Sequence, residues 1–82
     1  MGLVDELAGE LRRGGHVSRE IPDEQIAAQW RATARQAARQ LGRPVRTYRV
    51  GDTTGAALAD WPANELERQV TLARMRNAIN RI

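Results

Sequence analysis

The stretch from Pro22 to Val50 restricts the fold of this chain more than any other. At about 100° per residue, the turn of an α-helix, Ile26, Ala27, Trp30, Ala34, Ala37, Ala38 and Leu41 fall on one arc about 120° wide. A stripe of that width faces a core. Arg31, Arg35 and Arg39 recur every fourth residue and stack along one edge of the arc. Gln25, Gln29, Thr33, Gln36 and Gln40 fill the far side. Asp23 and Glu24 stand in the first turn, where the helix dipole favours negative charge. Gly42 suits the C-terminal cap and Pro44 prevents continuation. The alanines keep the core face thin, so Trp30 is its one large anchor. Truncating a buried Trp30 to alanine is expected to cost about 3–5 kcal/mol. After Pro44 the period changes from helix to strand. Val45, Thr47 and Arg49 point one way, and Arg46, Tyr48 and Val50 the other.

The rest of the chain supplies partners for this helix and strand. Residues 3–13 read as a short amphipathic helix with Leu3, Val4, Leu7, Ala8 and Leu11 on one side, ended by Gly14-Gly15. Eleven residues are marginal alone, so this helix must pack to persist. Residues 16–21 read as a short edge strand or an extended linker, with His16 as an exposed loop histidine. Ile21 and Ile26 are placed to staple the start of the long helix. Residues 45–61 read as a β-hairpin with the loop Gly51–Gly55 and a return strand Ala56–Trp61. That loop lacks the Gly-Lys-Ser/Thr ending of a phosphate-binding loop and is expected to be a plain turn. Asn64 and Glu67 have capping-box spacing, and a helix follows to Ile82. This last helix has two apolar faces: Leu66, Val70 and Ala73 on one, Leu72, Met75, Ile79 and Ile82 on the other. The second needs cover, from residues 3–13 or from another copy of the chain. The expected fold is therefore a small single α+β domain over residues 1–82: three helices with a β-hairpin, the long central helix packed on the hairpin.

At 82 residues the chain is one domain, burying only about 60–65% of its unfolded surface. It has no cysteine, so neither a disulfide scaffold nor a thiolate metal site is open to it. No apolar run nears the roughly 20 residues of a membrane helix, and the start of the chain lacks the pattern of a signal peptide. A cytoplasmic protein is expected, without metal or cofactor. Charge is distributed unevenly. Residues 1–25 sum to −3, residues 26–50 carry six arginines and no acid, and residues 51–82 are neutral. Charge concentrated in one segment points to an anionic partner for that segment.

The residues expected to meet it are Arg31, Arg35 and Arg39 on the helix, Arg43 at the junction, and Arg46, Tyr48 and Arg49 on the strand. Arginine binds phosphate bidentately, and an aromatic ring between arginines offers a stacking surface for bases. The expected function is that of a small basic nucleic-acid-binding module, regulatory or accessory, with DNA ahead of RNA. The alternative is a protein–protein interaction module, an adaptor or assembly subunit, that uses the C-terminal helix and whose arginine face meets an acidic protein surface. In either case a homodimer through Leu72, Met75, Ile79 and Ile82 is expected. Catalysis is not: no cysteine is present, and the sole histidine, His16, follows two glycines in an expected loop.

Overall fold

The structure, a computed structural model, describes residues 2–80. Its elements are α1 (Leu3–Gly14), β1 (His16–Glu20), α2 (Glu24–Leu41), β2 (Val45–Val50), β3 (Thr53–Leu58) and α3 (Glu65–Asn80). The strands form one antiparallel sheet in the order β1-β3-β2. The α+β architecture of three helices and a hairpin is present, with β1 added as a third strand. Residues 16–20 are thus an edge strand rather than a linker, with His16 in register with Ala57.

α2 starts where Asp23 accepts a hydrogen bond from the Ile26 amide at 3.0 Å, capping the helix. Ala27, Trp30, Ala34, Ala37 and Ala38 are buried as the periodicity requires, and Leu41 packs at the margin of the core. Ile26 departs from expectation, being 55% exposed. It stands in the first turn and at the limit of the apolar arc remote from the arginines, so Ile21 joins the core alone. From α1, Leu7 and Leu11 are completely buried. Val17, Ala56 and Leu58 meet them from the sheet. Both helices lie on that one face. On the other face His16, Ser18, Glu20, Arg46, Tyr48 and Val50 are exposed.

The hairpin turns earlier than expected. Val50 pairs with Thr53, so the loop is Gly51-Asp52 alone, and β3 begins at Thr53 rather than Ala56. Gly51 takes φ +60 while Asp52 does not take a positive φ, the pattern of a two-residue type II′ turn that matches strand twist. The β-branched Thr53 and Thr54 then enter the ladder. Gly55 becomes a mid-strand residue of the central strand.

α3 corrects a second expectation. Neither of its apolar faces is covered: Leu66 is 75% exposed, Leu72 45%, Met75 57% and Ile79 69%. α1 approaches α3 at its end, where the Gly14 carbonyl accepts from Arg74 at 2.9 Å. Among the described residues of α3 the buried one is Glu67. Ile82, expected on the second face, lies outside the described residues. Among the described residues no helix is long and apolar enough to cross a membrane.

Candidate nucleic-acid interface

The arginines of residues 26–50 divide into two groups. Arg31, Arg43 and Arg49 are engaged inside the molecule. Arg31 donates to Glu24 Oε1 at 3.0 Å and to Thr54 Oγ1 at 3.3 Å. Arg49 pairs with the other oxygen of Glu24 at 2.6 Å and donates to the carbonyls of Ile21 and Pro22 at 2.8 and 3.0 Å. Glu24 thus holds two guanidinium groups, one from α2 and one from β2, while Arg49 caps the connection before α2.

Arg43 is the centre of a second network. It binds both oxygens of Glu67 and also Asp60, and its guanidinium lies 5.8 Å from the centroid of Trp61. The Glu67 carboxyl is held below the usual carboxylate range, chiefly by Arg43 and also by the Ala63 amide, against the opposing effect of burial. Arg43 is pushed upward by the hydrogen bonds of Glu67 and Asp60, so it stays charged at every working pH. Glu67 closes the expected cap as well: its amide donates to Asn64 Oδ1 at 2.9 Å, and its carboxylate accepts from Ala63, one residue earlier than a regular capping box. Trp61 completes the cluster by donating its indole N–H to Thr71 Oγ1 at 2.8 Å. This network holds α3 to the sheet through polar contacts, and Arg43 is its keystone.

Arg35, Arg39 and Arg46 form the second group. None of them makes an ion pair among the described residues. Arg35 reaches Thr47 Oγ1 at 3.3 Å, which places it beside β2 on the helix-covered face. Arg39 follows one turn along α2. Arg46 leaves the opposite face of the same strand. β2 is an outer strand of the sheet, so these arginines flank one open edge from both sides.

Tyr48 stands two residues beyond Arg46 on the same open face of β2. It pairs with Gly55, and its ring lies flat on that residue: a Cβ built at Gly55 would fall 2.6 Å from Tyr48 Cε1. The Tyr48 hydroxyl and His16 Nε2 share a hydrogen bond of 2.7 Å. The two rings are parallel within 3°, with centroids 5.9 Å apart. His16 is therefore no loop residue; it extends a flat aromatic surface across the central strand. Sequence spacing could not reveal this, because His16 and Tyr48 sit on opposite edge strands and meet only through the small residues of β3.

Among the described residues no group of three or more His, Asp or Glu side chains is placed to hold a metal ion. Comparisons with protein families, with curated proteins and with solved structures find no match for this chain.

Proposed function

We propose that this chain is a cytoplasmic nucleic-acid-binding module that takes a single strand along the β2 edge. The observation that carries this reading is the placement of Arg35, Arg39 and Arg46, without acidic partners among the described residues, around an edge whose open face presents Tyr48 and His16. Phosphates follow the arginines, and a base stacks on the flat ring pair. Base–aromatic stacking contributes about 1–3 kcal/mol per base and tolerates any sequence. Arg31, Arg43 and Arg49 hold the scaffold instead of the ligand.

The test is fluorescence anisotropy with labelled single-stranded DNA, duplex DNA and RNA between about 50 and 200 mM salt. Three phosphate contacts give a log–log salt slope of about −2 on a single strand, where all six arginines would give about −4. Tyr48→Ala and Arg46→Glu should each weaken binding while the fold persists. Absence of binding at the lowest salt, where electrostatics are strongest, would overturn the proposal.

A second reading rests on a different observation, the exposure of Leu72, Met75 and Ile79 along α3. On this reading α3 pairs with a second copy or with another protein. Sedimentation equilibrium of the native chain and of Met75→Asp checks the first case: a dimer abolished by the substitution supports self-association, and a monomer at all concentrations refutes self-association.

A further inference from the structure

We propose that the groove between the end of α1 and the first turns of α3 is a binding site for a small amphipathic carboxylate, an aromatic or aliphatic body with one anionic head. The groove encloses about 430 Å³, within the span of about 300–1,000 Å³ typical of small-molecule pockets. Trp61, Leu66 and Val70 supply its apolar lining, and Arg12 and Arg13 its cationic lining. None of these residues belongs to the β2 edge, so the site stands or falls separately from the nucleic-acid reading.

Three features favour this ligand class. Trp61 is preorganised, being fixed by Thr71, by Arg43 and by its seat on Gly15. The apolar lining is already uncovered, Leu66 being 75% exposed, so an apolar body gains contact there at no cost in displaced protein. The cationic lining has no counter-ion: Arg12 and Arg13 make no ion pair among the described residues. Glu67, the one acid in the lining, is occupied by Arg43 and leaves those two guanidinium groups to the ligand. Planar bidentate pairing of arginine with a carboxylate fits the head, and the indole face fits the body.

The experiment titrates 1-naphthoate into the ¹⁵N-labelled protein and follows the indole resonances by two-dimensional NMR, with 1-naphthamide as the neutral isostere. The expected result is a saturable shift of the Trp61 indole, with Trp30 as the buried internal control, and amide shifts at Leu66 and Val70. 1-Naphthamide should bind at least about tenfold more weakly, as should 1-naphthoate to the paired substitution Arg12→Ala with Arg13→Ala. Leu66→Asp, at an exposed site, should keep the melting temperature and abolish the shift, which secures the test if the arginine variant unfolds. The proposal is overturned by no saturable shift up to about 5 mM, a limit beyond which binding is too weak to be specific. It is equally overturned by equal binding of acid and amide, or by shifts spread along Leu72, Met75 and Ile79 without a preference for the groove.

Discussion

Gly15→Ala imposes two perturbations at once, and the structure allows them to be separated. Gly15 closes α1 with φ +76, and the Trp61 indole rests against it. An L-residue in the left-handed region costs about 1–2 kcal/mol. Gly42 closes α2 with φ +69 but has open space around a new Cβ, so Gly42→Ala carries that cost alone. At Gly15 the new methyl would stand 2.6 Å from Trp61 Cε3 and Cγ. The backbone there is fixed on both sides, its N–H donating to the Leu11 carbonyl and its carbonyl accepting from Leu58, both at 2.8 Å. The indole must therefore move. It loses the bond to Thr71, worth about 0.5–1.5 kcal/mol, and the Arg43 contact, about 0.5–1 kcal/mol. Gly15→Ala should thus destabilise by about 2–4.5 kcal/mol against about 1–2 for Gly42→Ala. In a domain of this size the difference lowers the midpoint by a further 5–15 °C or so, read by circular dichroism melting. In a Trp61→Ala background the Gly15→Ala cost should fall to that of Gly42→Ala. Equal midpoints for the two glycine variants, or an undiminished cost in the Trp61→Ala background, would refute the account of Trp61 as the seat of α3.

Acid should loosen α3 through Glu67. Its carboxyl is held below the ordinary glutamate range in the folded chain, so the stabilisation is present above that range and is lost as pH falls through the lowered value. Melting between pH 7 and 3 should show the decline, and Glu67→Gln should flatten it while lowering stability at neutral pH. Trp30→Phe should cost little, within about 1 kcal/mol, because the buried indole N–H of Trp30 has no partner and its removal relieves a desolvation penalty that offsets lost volume. Chemical denaturation measures this directly, and a loss near the expected Trp30→Ala value would contradict it. Arg43→Ala and Arg35→Ala should separate in opposite senses. The first should lower the melting midpoint with little direct effect on nucleic acid affinity, and the second should weaken affinity at unchanged stability.

The parts of the fold that sequence reveals are those governed by one element's own period. The buried face of α2, the two faces of β2 and the ends of α1 follow from residue spacing, and the structure agrees at Trp30, Ala34, Thr47 and Leu11. Gly51 and Gly55 both suit a turn, so residue spacing alone makes the hairpin loop too long. Only cross-strand pairing shows that Gly55 serves the Tyr48 ring. The fate of α3 was illegible for another reason. Its two apolar faces compete, and the domain satisfies neither, preferring the ion pair of Glu67 with Arg43 across 24 positions of sequence. Charge counting found the arginine-rich segment. It could not tell Arg35, Arg39 and Arg46 from Arg31, Arg43 and Arg49, since Glu24, Asp60 and Glu67 all lie outside the segment and reach it only in the folded chain.

The sheet order also sets a schedule for synthesis. β3 is the central strand yet the last to be made, so β1 has no partner on the chain until residues 53–58 have left the ribosome. The β2–β3 hairpin forms from near neighbours, whereas joining β1 must close the long span from His16 to Ala57. A nascent chain stalled before Thr53 therefore has helices but no sheet, with Val17, Leu7 and Leu11 left without the floor that buries them. Completion of β3 supplies the partner of both edge strands at once, and with it the sheet that the N-terminal half packs on.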